Sequence, residues 1–191
     1  MKKMIKFASA VAVAVGLAQT LQAVPVAGSI GFSGVGVTYN TSSAATATAV
    51  TSWIAPVVSG TSGNFTTVPN TTPVTFAAGN WNFASGPIAS FWSVGGFTFN
   101  LLSSFVFQQG GTPGVNAFVV VDGSGTVSGN GFTPTQMIWS FTSQDPASGS
   151  NPTSSSFSAS ANSQVPDGGA TMMLLGIALS GVALLKKKLT A

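Results

Sequence analysis

Few of the 191 residues carry side chains that do acid–base or metal chemistry: three aspartates, one tyrosine and six lysines, with no His, Cys, Glu or Arg. The lysines stand at positions 2, 3, 6, 186, 187 and 188, so the long middle of the chain offers only Asp122, Asp145 and Tyr39. General acid–base catalysis at neutral pH draws on His, Glu, Asp, Lys, Tyr or Cys. Two carboxylates could cleave a glycosidic bond if they sat about 5 to 9.5 Å apart, but nothing in the spacing of Asp122 and Asp145 brings them together, and both read as surface turn residues. Serine and threonine are plentiful, yet each would lack a His or Lys base. Asp122 and Ser124 in a Gly-rich turn could lend oxygens to calcium, but one carboxylate is a poor cage. The glycines at 123, 125, 129 and 131 form no phosphate cradle, because the lysine of that motif is missing. The chain is read as a non-enzyme, with no catalytic residue, metal site or cofactor assigned.

Aromatic faces are the other chemistry on offer. Trp53, Trp81, Trp92, Trp139 and Tyr39, beside Asn, Thr and Gln, could stack on sugars, and Trp81 and Trp92 are the candidate glycan contacts. Against this stands the usual fate of aromatics on alternating strands, which is burial in a core. A carbohydrate-binding module acting on extracellular polysaccharide is therefore the alternative reading.

The elements that position these residues have period two. Phe97, Phe99 and Leu101 alternate with Thr98 and Asn100; Met137, Trp139 and Phe141 alternate with Ser140 and Thr142; Phe157, Ala159 and Ala161 alternate with Ser158 and Ser160. Further strands are expected over 30–38, 46–54, 74–77, 90–94, 104–108 and 117–122, with a turn at Asp122–Gly125. Ile30 and Phe32 share one parity, Val35 and Val37 the other, so a bulge at Gly34 would turn all four inward and let the strand bend between two sheets. The spacing predicts an all-β domain over 24–164, an antiparallel β-sandwich or flattened barrel. A Ser/Pro-rich loop is expected at 146–156 and a short tether at 162–164.

The two ends are of another kind. Residues 1–23 run from three lysines through an apolar stretch to Ala23, the pattern of a secretory signal peptide. Cleavage is placed between Ala23 and Val24, with a cut after Ala27 as the other possibility. At the C-terminus Val165, Pro166, Asp167, Gly168 and Gly169 precede an apolar run, 170–185, and the cluster Lys186, Lys187 and Lys188. The run is short for a transmembrane helix, whose hydrocarbon core is about 30 Å thick, but snorkelling lysines let it span. The lysines set its orientation, leaving the C-terminus in the cytoplasm and 24–169 outside. A signal helix and a transmembrane helix thus flank the domain.

The order VPDGG, apolar helix, terminal lysines, at the end of a chain with a signal peptide, resembles the PEP-CTERM sorting signals, and most closely the VPDSG variant. The resemblance makes 165–169 the sorting motif, 170–185 its transmembrane helix and 186–191 its basic tail. It implies recognition and removal of the tail by an exosortase, a membrane peptidase, after a transient stay in the inner membrane of a Gram-negative bacterium, and delivery to the cell surface or extracellular matrix. The stretch 123–144 is similar to a segment of PEP-CTERM ectodomains in which a Gly-rich strand, a GF-x-x-T turn and a W-x-F-T strand precede the signal.

Charge separates these functions from others. Only 5% of residues are charged, against about a quarter in an ordinary cytosolic domain. Nucleic-acid partners need a Lys/Arg patch on the folded surface, and residues 7–185 hold no cation. Lacking cysteine, the fold cannot rely on disulfides. The computed pI near 9.6 belongs to the lysine-bearing ends. Once both are removed, Asp122 and Asp145 are the only charged side chains, so the released protein is expected to focus well below pH 7. Isoelectric focusing of the extracellular form checks this, and a basic band would contradict removal of the tail.

Overall fold

A computed structural model describes residues 24–77, 80–146 and 156–163. They form eleven strands: β1 (Ser29–Ser33), β2 (Gly36–Tyr39), β3 (Ala49–Ile54), β4 (Val57–Thr61), β5 (Thr75–Phe76), β6 (Trp81–Asn82), β7 (Ile88–Val94), β8 (Phe97–Gly110), β9 (Phe118–Gly129), β10 (Phe132–Gln144) and β11 (Ser156–Ser163). The domain is all-β and antiparallel. A curled eight-stranded sheet runs β4-β1-β11-β10-β9-β8-β7-β5, and a second sheet runs β2-β3-β6. The outer strands of the eight-stranded sheet, β4 and β5, are tied to each other by the segment that enters β5. Val58 N–H donates to Thr72 O at 3.0 Å, Thr71 N–H to Val58 O at 2.8 Å and Val74 N–H to Pro56 O at 2.9 Å.

The two sheets share one long, bent hairpin. β1 pairs with β4 in the large sheet, while β2 pairs with β3 in the small one. The corner lies at Gly34, where parity predicted it. A methyl there would come within 2.6 Å of the Phe157 ring and 2.9 Å of the Ile54 carbonyl oxygen, so only glycine lets the layers approach this closely. Ile30, Phe32 and Val37 are buried as expected, but Val35 is 70% exposed. It sits on the corner, before β2 begins, and the turn of the backbone carries it outward.

The core between the sheets is aromatic. Phe32, Trp92, Phe99 and Trp139 are fully buried, and the small sheet contributes Trp81, which packs on Phe141 with ring centroids 5.3 Å apart. The indole N–H groups of Trp81, Trp92 and Trp139 find no acceptor among the described residues.

The turn expected at Asp122–Gly125 is instead the middle of β9. The inward row of β9 is Val119, Val121, Gly123, Gly125 and Val127. Gly123 lies opposite Trp139 and Gly125 opposite Met137 on β10, and Gly125 opposite Leu101 on β8. A methyl on Gly125 would strike the Asn100 carbonyl and the Phe99 ring. These glycines clear space for large neighbours within a strand. The chain turns later, at Asn130–Gly131, and likewise at Gly95–Gly96 between β7 and β8, both two-residue loops with positive φ at each position.

Two other boundaries moved. The strands expected at 97–101 and 104–108 are one strand, β8, continued across bulges at Leu101/Ser103 and Val106/Gln108. Asn162 and Ser163, expected in a tether, belong to β11 and pair with Ile138 and Met137. No described helix is long and apolar enough to cross a membrane; the expected signal helix and transmembrane helix lie outside the described residues.

Gly125→Ala is expected to lower stability by about 2–3 kcal/mol, the usual cost of overpacking a core. Gly60→Ala on β4, where a methyl meets nothing within 4 Å, is expected to be neutral. Thermal unfolding of the two variants checks the contrast.

Candidate functional site

The feature nearest the sorting sequence is the junction at the end of β11. Ser163 is held there from two sides. Its N–H donates to Gly28 O at 3.0 Å, its hydroxyl donates to the same carbonyl at 3.1 Å, and its Oγ accepts the Gly28 N–H at 2.8 Å. Asn162 pairs across to Ser29. The last described residue of the domain is therefore fixed beside the start of β1.

The N-terminal segment is fastened at the same end. Thr133 N–H donates to Val24 O at 3.0 Å, and Pro25 bridges to Thr133. Val26 is fully buried and its N–H donates to Thr135 Oγ1 at 2.9 Å. Ala27 N–H donates to Asn64 Oδ1 at 2.7 Å. Val24 itself is 59% exposed. Val24 and Ser163, the first and last described residues, both lie toward this end, where the Gly95–Gly96 and Asn130–Gly131 tips also meet through Asn130 Nδ2, which donates to Gly95 O at 2.9 Å.

Residues 164–189 match the family model of the VPDSG-CTERM motif. The tail is a PEP-CTERM-like sorting signal. The matched span takes in Val165–Gly169, the apolar run and the three lysines, all of which lie outside the described residues, as does Ala23. The sorting motif is consistent with export, cell-surface sorting and an exosortase-type partner. No curated protein and no solved structure matches the chain.

The two carboxylates are kept apart by the sheet. Asp145 N–H donates to Ala117 O at 2.9 Å, which places Asp145 opposite Ala117, whereas Asp122 lies five positions along β9 from there, about 16 Å at the rise of a strand. That is too far for the paired acids of a glycosidase. Asp122 and Ser124 share the outward side of a strand and form no loop cradle. No group of three His, Cys, Asp or Glu gathers among the described residues.

Asp145 differs from its predicted role as a simple surface residue. Its Oδ2 accepts the Ser43 hydroxyl at 2.6 Å and its Oδ1 accepts the Ala44 N–H at 2.7 Å. Gln109 Nε2 donates to Ala44 O and Ala47 O, each at 2.7 Å. Together they pin the loop between β2 and β3 onto the end of the domain opposite the termini. These contacts span 62 to 102 residues in sequence, and no local pattern announces them.

Trp81 and Trp92, the candidate glycan contacts, are 3% and 0% exposed. Trp92 stacks on Phe99 at 5.3 Å. Their faces are spent on core packing, which corrects the expectation of a sugar platform there. Trp53 is partly covered, stacked on Phe76 at 3.9 Å.

Asp145→Ala removes the hydrogen bonds from Ser43 and Ala44 to a charged acceptor and is expected to cost about 2–3 kcal/mol. Asp122→Ala, which removes no such contact, is expected to stay within about 0.5 kcal/mol. Urea unfolding of both variants measures the difference.

Proposed function

We propose that this is an exported, non-enzymatic protein of the cell surface or extracellular matrix of a Gram-negative bacterium. Its β-domain acts as a structural or interaction component. The signal peptide takes it across the inner membrane, the apolar run 170–185 holds it there with Lys186–Lys188 in the cytoplasm, and an exosortase-like peptidase removes the tail. The single observation that carries this reading is the VPDSG-CTERM match over 164–189.

The placement of the junction supports it. A peptidase working at the membrane needs its motif on a strand of chain free of the fold, and the motif starts at Val165, two residues beyond Ser163, which β11 holds in place. The same end of the domain supports cleavage between Ala23 and Val24. A cut after Ala27 would remove Val26 from the core together with the bonds to Thr135 and Asn64. The non-enzymatic reading is supported by the separation of Asp122 from Asp145 and by a sequence without His or Cys.

Mass spectrometry of both termini, comparing membrane and extracellular fractions of the native host, tests this directly. The expected extracellular product begins at Val24 and lacks 170–191. A chain found only in membranes with Lys186–Lys188 intact would replace sorting with simple anchoring.

A further inference from the structure

The second half of β8 has an open edge. From Phe97 to Leu101 the strand is flanked by β9 and β7, and Ser104 N–H donates to Ser85 O at 2.9 Å. Beyond that point, over 105–110, the side facing away from β9 has no backbone partner among the described residues. The Ser104 N–H points to this side, and the two-residue repeat of a strand points the Val106 N–H the same way. Unpaired strand edges of this kind are templates for another strand.

This edge is also apolar. Phe105 is 56%, Val106 37% and Phe107 65% exposed. Proteins usually protect such edges with lysine, other charges, proline or a bulge. Here the one device is the bulge at Val106/Gln108, and it displays Phe107 where a charge would repel. The edge lies at the end where Gly110 pairs with Phe118 and Phe118 with Gln144, away from the end that carries both termini. It therefore stays accessible while the tail is in the membrane.

We propose that this edge pairs with the same edge of a second copy of the chain, β8 to β8, antiparallel about a two-fold axis. An antiparallel edge is self-complementary, because a two-fold rotation sets its free N–H and C=O groups against their equivalents. Electrostatics do not oppose the match: across 24–164 each copy brings two carboxylates and no cation, and Asp122 is the only charged side chain within β8 and β9. The occupant is thus a neutral strand with apolar side chains, which a second copy supplies.

The absence of cysteine makes the test clean. Gln108→Cys in the full-length chain, expressed with export in its native host, supplies a single thiol at the exposed edge; Ser124→Cys supplies one in mid-sheet. Treatment with a short bis-maleimide is expected to give a species of twice the mass from Gln108→Cys and none from Ser124→Cys. Adding Phe107→Lys is expected to cut the yield several-fold, since like charges across a strand pair repel, while Phe107→Leu preserves it. Emission from the buried tryptophans reports that the variants remain folded. A Gln108→Cys chain that stays monomeric, reacts with a different protein, or is shielded from the reagent by its own chain would overturn the pairing. So would a dimer indifferent to Phe107→Lys. Correct termini on a monomeric protein would sink the pairing and leave the sorting reading intact.

Discussion

Trp139 sets the geometry that the other layers must satisfy. Five aromatic rings, those of Phe32, Phe76, Trp81, Phe91 and Phe99, have centroids between 5.3 and 6.4 Å from it. They come from β1, β5, β6, β7 and β8, so one side chain touches both sheets. A side chain of that size fits because its cross-strand neighbours are small, Gly123 on one side and Ala161 on the other. The same rule governs Phe141, flanked by Val121 and Ala159. With neither a disulfide nor a cation in 24–164, this packing has to supply most of the stability, and so the glycines beside it tolerate no added methyl.

That arrangement also explains where the sequence was legible. Alternation in 97–101, 137–142 and 157–161 gave the strands and their buried faces, because one face of each meets the aromatic core and the other meets water. The parity switch at Gly34 marks the bend between sheets in the sequence alone, although Val35 turns outward there. What misled was the ordinary meaning of glycine: Asp122-Gly123-Ser124-Gly125 has turn composition, but its parity continues the row Val119, Val121 through to Val127. Reading those glycines as inward positions opposite large residues recovers β9. The similarity of 123–144 to a Gly-rich strand followed by a turn pointed the same way.

The sites divide along the same line. The tail was legible because a sorting signal is a linear pattern, read from charge, apolar length and a short turn motif with no help from the fold. Asp145 was opaque because its role depends on Ser43 and Ala44, brought to it by strands far apart in the chain. Trp81 between two asparagines looked like a sugar contact, yet a two-residue strand such as β6 pairs with Ala49 and Val50 and turns its tryptophan into the core. Local polarity does not report which side of a strand faces in.

The polarity of the domain from end to end then follows from a single choice of topology. Because β1 and β11 are antiparallel neighbours, the chain enters and leaves at one end, and because β8, β9 and β10 run past them, their far hairpin projects from the other. The sorting signal adjoins only the first end. The second end, fastened by Asp145 and Gln109, carries the open edge of β8 with Phe105 and Phe107 outward. Charge repulsion, the usual barrier to such an edge meeting its like, scales with the product of the charges brought together, and here that product is near its minimum. A domain built this way would associate through backbone hydrogen bonds and apolar contact, forces that salt screens little.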